Sequence, residues 1–316
     1  MKFPGMKDIW GLIKDSGIAW DRDNIWRLGA ALAYFTVFSL SPLLILVIVL
    51  SSLGFGQDAA RGHLVSQIRG LIGIDGAKFI QTMLENAYES GASIPAAIFG
   101  IVTLLLGATG VFVQLRESLN TIWCVQETSL GIMSYLRARL LSFTMIIGLG
   151  FLLLVSLILS ALLSAISGYL SSSFAILSSV VSLMDFLISF VGITVLFALI
   201  FKFLPDAIVE WADVWIGAAV TSLLFSIGKI AIGFYLGNSV IGSTFGAASS
   251  LVIIMLWAFY SSQIILFGAE FTRIYSERFG TQIRPAHNAV RIVTRKVDIE
   301  TGLQKQRHAH AKTSKQ

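Results

Sequence analysis

Long apolar stretches dominate the chain, and short polar segments that carry most of the charge separate them. A helix rises about 1.5 Å per residue, so about 20 apolar residues cross a hydrocarbon core of about 30 Å. The last such stretch, Gly246–Ala269, has 24 residues without a charge. The pattern predicts an all-α polytopic membrane protein, a six-helix transmembrane bundle. Its spans are placed roughly at residues 29–53, 93–112, 140–166, 180–204, 213–236 and 246–271.

Amphipathic segments connect these spans. Residues 54–92 carry two helical stripes and predict an outer hairpin, either a packed cap or a binding lid. A stripe after the second span predicts an interfacial helix; its members are Leu115, Leu119, Ile122 and Trp123. Residues 1–28 are basic and Trp-rich, as expected at a membrane surface. Residues 273–316 predict a basic tail that is partly disordered. Pro42 predicts a kink in the first span, either structural or a hinge.

Composition supports the membrane assignment. The mean hydropathy of the 316 residues is +0.80. Only 13% of residues are charged, about half the usual share of globular domains. The single cysteine, Cys124, permits no internal disulfide. The first apolar run is longer than the core of a signal peptide, so no cleaved signal is expected.

The distribution of Lys and Arg predicts the orientation. Six spans place both termini on one side of the membrane, and 19 of the 23 Lys and Arg residues fall on that side. Three others lie in the hairpin, and Lys229 lies within a span. Basic residues concentrate on the cytoplasmic side, so both termini are predicted to be cytoplasmic.

Four sequence segments resemble the YihY/BrkB family of bacterial inner-membrane proteins. They are GAALAYFTVFSLSPLLIL, LRESLNTIW, LPDAIVEWADVWIGAAV and LWAFYSSQIILFGAEF, in order within residues 27–278. The resemblance implies six spans, cytoplasmic termini and the bacterial cytoplasmic membrane. Members of that family have carried virulence, ribonuclease and envelope lipid-transport labels, so the resemblance leaves the activity open.

The residues indicate no catalytic site, metal site or cofactor. The four histidines lie in the hairpin and the tail, and no nucleophile or phosphate-binding motif is present. The acidic residues Asp206, Glu210 and Asp213 have ligand chemistry for a divalent ion, but their position favours the entrance of a span. We therefore expect no enzyme and no nucleic-acid partner, and a nuclease is the least favoured function.

Two intramembrane charges give the sharpest clue to function. Lys229 lies 16 residues beyond Asp213, about 24 Å along the helix, and Asp185 lies near the start of the fourth span. A charge inside a membrane is costly and usually faces a partner or a cavity. Lys229 is therefore predicted either to pair with Asp185 or to attract an anionic headgroup. Snorkelling of Lys229 to the interface is a third alternative.

Four other polar residues complete the candidate substrate site. Glu270 is predicted to form an interfacial ion pair, with Arg116 or Arg27 as partner, or else to serve as a proton or headgroup relay. Tyr34 and Gln263 lie within spans, where interhelical hydrogen bonding is the simpler role and substrate contact the alternative.

These features predict a transporter or flippase-like handler of an amphipathic substrate, with membrane lipids, anionic ones above all, as partners. The alternative is a structural or scaffold protein of the envelope that docks partners through its amphipathic segments. A cavity open to the side would favour the first function, and a fully packed bundle the second. An oligomer is compatible with either.

Overall fold

The computed structural model describes residues 5–39, 81–82, 109–128, 148, 175–238 and 249–293. This part of the chain is mostly helical, as predicted. Its helices are α1 (Met6–Arg22), α2 (Ile25–Ser39), α3 (residues 109–122), α4 (Ala175–Phe203), α5 (Trp211–Asn238) and α6 (Ser249–Arg278). Four short strands are β1 (Val125–Glu127), β2 (Ala207–Ile208), β3 (Arg284–Pro285) and β4 (Ala289–Arg291). The strands pair antiparallel, β1 with β4 and β2 with β3.

Two of the described helices are long and apolar enough to cross a membrane. They are Trp211–Tyr235 within α5 and Leu251–Arg278 within α6, and they coincide with the predicted fifth and sixth spans. Helix α4 coincides with the predicted fourth span. Most of the first three predicted spans, nearly all of the hairpin and the end of the tail lie outside the described residues, so the count of six spans stays a prediction.

Helices α5 and α6 pack antiparallel through a reciprocal pair of small and β-branched residues. Gly217 faces Thr272, and Thr221 faces Gly268. Each threonine hydroxyl donates to the carbonyl of the glycine four residues earlier in its own helix, at 2.7 Å. Each glycine therefore leaves room for the threonine of the other helix, and the two backbones approach closely, as is common in membrane helices.

The main core lies where α3, α4, α5 and α6 meet. Phe197 contacts Phe201 and Phe225, and Phe201 contacts Trp123, with ring centroids 5.8–6.3 Å apart. The predicted stripe of α3 is confirmed, because all four of its members are buried: Leu115, Leu119, Ile122 and Trp123. Residues 109–122 form one continuous helix, so no break separates the predicted second span at 112 from the interfacial segment.

Helix α1 packs against the end of α6. Leu12 and Ala19 are buried in a cluster with Phe271, Ile274 and Tyr275. A second apolar face of α1 stays exposed, formed by Ile9, Trp10 and Ile13, with Trp10 71% exposed. This face suits the predicted position at a membrane surface, which stays a prediction.

The folded part of the chain extends past the predicted tail boundary at 273. Helix α6 continues to Arg278, and Arg273–Ser276 are buried. Residues 284–291 then pair with β1 and β2. Asp213 holds this region against the start of α5, because its carboxylate accepts hydrogen bonds from Ser276 Oγ at 2.7 Å and Thr281 N at 3.2 Å. The start of the predicted tail is therefore part of the structured body.

Candidate functional site

A groove lies between α5 and α6, and Trp20 of α1 also lines it. Its cavity volume is about 290 Å³. The antiparallel register of the two helices places Gly228 against Tyr260 and Ile264, and the absence of a side chain at Gly228 lets both residues approach the backbone of α5 closely. The lining is otherwise mostly apolar: Trp20, Leu224, Ile227, Gly228, Tyr260, Gln263, Ile264 and Phe267. Ile227 is 58% exposed, so the groove opens towards the outside of the helix pair.

Gln263 is the polar residue of this lining for which the sequence predicted a role. Its side-chain oxygen and nitrogen are both buried, and neither has a hydrogen-bond partner among the described residues. The amide lies against Gly29 of α2, where a Cβ would overlap Nε2 and lie 3.0 Å from Cδ. The interhelical hydrogen bond expected for Gln263 is therefore absent from the described contacts, and the alternative of substrate contact stays a prediction.

Lys229 follows Gly228 in α5 and is exposed. It does not line the groove itself, but it stands beside the groove on the same helix. No ion pair of Lys229 is found within the described part of the chain. Asp185 lies in α4, but its side chain is outside what the structure describes. The predicted Asp185–Lys229 pair therefore stays a prediction.

Tyr34 lies away from the other candidate residues. Its side chain is 54% exposed, and its ring contacts Phe35 and Phe38, with centroids 5.7 and 4.7 Å away. An interior hydrogen bond of Tyr34 is not seen among the described contacts. The exposed aromatic ring suits a surface that faces lipid better than a substrate site in the groove.

Arg116 belongs to a cluster that fixes α3 to the link between α4 and α5. Its Nη2 contacts Asp206 Oδ1 at 2.6 Å and Glu127 Oε2 at 3.1 Å. Asn120 donates to Asp206 Oδ2 at 2.6 Å, and the Asp206 backbone N–H donates back to Asn120 Oδ1 at 2.8 Å. Since Arg116 and Asn120 satisfy Asp206 from two sides, this cluster has a structural role.

Glu270 belongs to a second cluster, and its predicted partner was wrong. The side chain is fully buried, and Oε2 lies 2.7 Å from Arg273 Nη2 rather than near Arg116. The same Nη2 lies 3.1 Å from Asp23 Oδ2, in the turn between α1 and α2. Arg273 Nη1 donates to the carbonyl of Ile122 at 2.6 Å. One guanidinium thus joins α6, the α1–α2 turn and the end of α3.

The turn itself keeps Asp23 available for this contact. Burial raises the pKa of the Asp23 carboxyl, but hydrogen bonds with Arg22 and Glu270 and the charge of Arg273 outweigh burial, so its pKa falls below the ordinary 3.8. Asn24 adopts a positive φ of 53°, a conformation that asparagine tolerates better than most residues. Asp23 is therefore ionised at neutral pH and adds a negative charge beside Arg273.

Two of the three acidic residues weighed as ion ligands are held by other side chains in separate places, and the third, Glu210, is exposed just before α5. Asp206 contacts Arg116 and Asn120, whereas Asp213 contacts Ser276 and Thr281. The described residues contain no group of three or more His, Cys, Asp or Glu side chains able to hold a metal ion.

Sequence reasoning missed the groove. It also missed the reciprocal contacts Gly217–Thr272 and Gly268–Thr221, called here the Gly–Thr interlock, which set the register of the two helices that form the groove. A signal for the interlock is present, because the pattern Gly-x-x-x-Thr occurs at 217–221 in α5 and at 268–272 in α6. Small residues four apart mark close helix packing in membranes. Of the six candidate residues, the structure places Gln263 in the groove, Lys229 beside it, and Glu270 and Arg116 in separate ionic clusters.

Comparison with known proteins places this architecture in a family. The family model described as "Virulence factor BrkB" matches residues 19–293. The chain is similar to proteins named UPF0761 membrane protein. It is 28% identical to that of Rhodospirillum centenum over 90% of this chain and 62% of the relative. It is 27% identical to that of Ralstonia nicotianae over 78% of this chain and 54% of the relative. It is 28% identical to that of Tolumonas auensis over 83% of this chain and 85% of the relative.

The chain spans only 54–62% of the length of the relatives from Rhodospirillum, Ralstonia and a further organism, Acinetobacter baylyi. No solved structure matches the chain. The family model nevertheless covers most of the sequence, including α2, α3 and the long apolar helices α5 and α6, and the relatives are named as membrane proteins. The chain therefore belongs to the BrkB family of membrane proteins.

Proposed function

We propose that the chain is a transporter or flippase-like protein that takes an anionic amphipathic lipid into the groove between α5 and α6. The observation that carries this proposal is a groove of about 290 Å³ that opens sideways between two helices long enough to span a membrane. A mostly apolar lining suits an acyl chain. The exposed ammonium of Lys229, one residue past Gly228, suits an anionic headgroup.

The proposal includes a six-span bundle in the bacterial cytoplasmic membrane, with both termini in the cytoplasm. The excess of Lys and Arg on the predicted inner side supports this orientation. The proposal has no catalytic step: of the three acidic residues weighed for ion binding, Asp206 and Asp213 are held by other side chains, and Glu210 is exposed just before α5.

Topology gives a direct test of the orientation. A cysteine introduced by Lys78→Cys in a Cys124→Ser background should react with a membrane-impermeant thiol reagent from outside intact cells. The reason is that one predicted span, residues 29–53, separates the cytoplasmic N-terminus from residues 54–92 and places them outside. Arg284→Cys, beyond α6, serves as the control and should react only after the membrane is opened. Labelling of position 78 from the cytoplasmic side alone would contradict the map.

Distorting the groove should weaken lipid binding. A Cβ at Gly228 would lie 2.6 Å from Ile264 Cδ1 and 2.9 Å from Tyr260 Oη, so Gly228→Leu must displace two residues that line the groove. We expect at least about tenfold weaker binding of a labelled anionic phospholipid by the purified protein. Gly233→Leu is the matched control on the same helix, because a Cβ there meets no atom of the described residues within 4 Å.

A second variant tests the groove independently, in case Gly228→Leu does not fold. Ile227→Trp enlarges an exposed side chain at the rim of the groove and should also weaken lipid binding. Lys229→Gln should weaken anionic lipids more than zwitterionic ones. Equal lipid affinity for Gly228→Leu, Ile227→Trp and Gly233→Leu would reject the groove as the binding site.

The exposed face of α1 favours a second candidate, a scaffold that docks a partner through its amphipathic segments. Its residues Ile9, Trp10 and Ile13 are uncovered although their helix packs on α6 through another face. The triple change Ile9→Ser, Trp10→Ser and Ile13→Ser should abolish the cellular function of a scaffold while the groove variants leave it intact. Loss of cellular function in the groove variants, with the triple variant still functional, would support lipid handling.

A further inference from the structure

Gln263 is a lining residue of the mostly apolar groove, and its amide oxygen and nitrogen are buried. Neither amide atom has a hydrogen-bond partner among the described residues. A buried amide without a partner is unfavourable, and it becomes favourable once a complementary group arrives. The amide lies against Gly29, to which it makes no hydrogen bond. It can therefore turn towards a ligand in the groove without breaking a hydrogen bond.

The chemistry of an amide defines the group that would satisfy it. Nε2 donates and Oε1 accepts, so a ligand that pairs both atoms must bring an acceptor and a donor. A phosphate diester or a carboxylic ester offers acceptors only and leaves Oε1 unpaired. A hydroxyl next to an ester carbonyl offers both. The hydroxyl of Tyr260 lies in the same lining, three residues earlier in α6, and supplies a further donor for the ester.

The size of the groove limits the rest of the ligand. Its volume of about 290 Å³ is at the lower end of sites that hold drug-sized molecules, roughly 300–1,000 Å³. One acyl chain fits such a groove better than two. Lys229 is exposed beside it and provides the charge that favours an anionic headgroup.

We propose that Gln263 recognises the ligand, and that the ligand is an anionic single-chain glycerolipid with a free hydroxyl beside its ester. This inference rests on the proposed function, because it assigns a substrate class to the same groove. The hydroxyl donates to Gln263 Oε1, the ester carbonyl accepts from Nε2, and the acyl chain lies along the apolar lining.

Quenching of Trp20 provides the test, because this residue lines the groove. The probe is a single-chain phosphoglycerol lipid with a brominated acyl chain, which quenches a tryptophan that it touches. The comparison lipids are the same molecule with its free hydroxyl methylated and a brominated two-chain phospholipid of the same charge. The chain has seven tryptophans, so the Trp20 signal is taken as the difference between the parent and Trp20→Phe.

The parent should bind the hydroxyl lipid about tenfold more tightly than the methylated lipid, and Gln263→Met should remove that preference. The same variant should melt at or above the parent temperature, since an unpaired buried amide is lost. Gln114→Met in α3, outside the groove lining, is the matched control and should keep the preference. These results would support both the proposed function and the role of Gln263, because each result requires that a lipid binds in the groove.

The failures of the two proposals are distinguishable. Quenching at Trp20 by none of the three lipids overturns the proposed function together with this inference. Quenching that is equal for the hydroxyl and methylated lipids, and unchanged in Gln263→Met, overturns the role of Gln263 alone. Binding of the two-chain lipid as tight as that of the single-chain lipid overturns the single-chain assignment and leaves the groove as a lipid site.

Discussion

Arg273→Met should destabilise the folded protein by about 3–5 kcal/mol, the usual cost of removing one partner from a buried ion pair. The guanidinium lies 2.7 Å from Glu270 Oε2 and 3.1 Å from Asp23 Oδ2, and Glu270 is fully buried. Methionine fills similar space but leaves the ionised Asp23 and the buried Glu270 side chain without their cationic partner. It also removes the hydrogen bond to the carbonyl of Ile122. The measurement is the free energy of unfolding of the purified protein in detergent.

Arg278→Met is the control for this experiment, because Arg278 also pairs with a residue of α1 from the same helix. The Arg278 side chain that pairs with Asp15 is 44% exposed, so water screens this ion pair. The loss of stability should therefore stay within about 1 kcal/mol. Adding Glu270→Leu to Arg273→Met should recover part of the stability, since it removes the buried carboxyl group that Arg273→Met leaves without its partner. Equal losses for Arg273→Met and Arg278→Met would show that the buried cluster contributes no more than a surface pair.

Local patterns in the sequence predicted local structure well. The stripe of α3 is visible because its apolar residues recur at helical spacing, and the structure buries every one of them. The continuous apolar runs likewise predicted the positions of α5 and α6. These features depend on neighbours within one segment, which is the information that a single sequence carries.

Contacts between distant segments were not predictable in the same way. Arg116 meets Asp206 at a sequence separation of 90 residues, and Arg273 meets Asp23 at a still larger separation. Which carboxylate meets which guanidinium depends on how the helices are rotated and aligned against one another, and spacing along the chain does not encode that. The prediction of Arg116 or Arg27 as the partner of Glu270 failed for this reason.

The short strands of residues 284–291 escaped prediction for a related reason. Strands β3 and β4 contain two and three residues, which is too short for an alternating pattern to be recognised. Their partners lie near residues 125 and 207, and only the folded arrangement brings these segments together. A basic composition therefore predicted a tail from residue 273, whereas residues 273–293 are structured.

The groove depends on the register of α5 and α6, and the Gly–Thr interlock sets that register. Gly217 faces Thr272 and Gly268 faces Thr221, and one helical turn or more farther along the same alignment brings Gly228 to Tyr260. A change that separates the two helices at the interlock should therefore also alter the groove. Stability and lipid binding are expected to fall together for such a change.

Gly217→Ala should destabilise the protein by about 1–3 kcal/mol through overpacking. A Cβ there would overlap Thr272 Oγ1 and lie 2.8 Å from Thr272 Cβ, within a packed interface between two backbones. Gly233→Ala on the same helix should be neutral or stabilising, by up to about 1 kcal/mol, because its Cβ meets nothing and alanine favours the helix. Adding Thr272→Gly to Gly217→Ala should restore helix contact and part of the lost stability. Unfolding free energies that do not differ between Gly217→Ala and Gly233→Ala would mean that α5 and α6 do not meet at Gly217, and the groove built on that register would have to be abandoned.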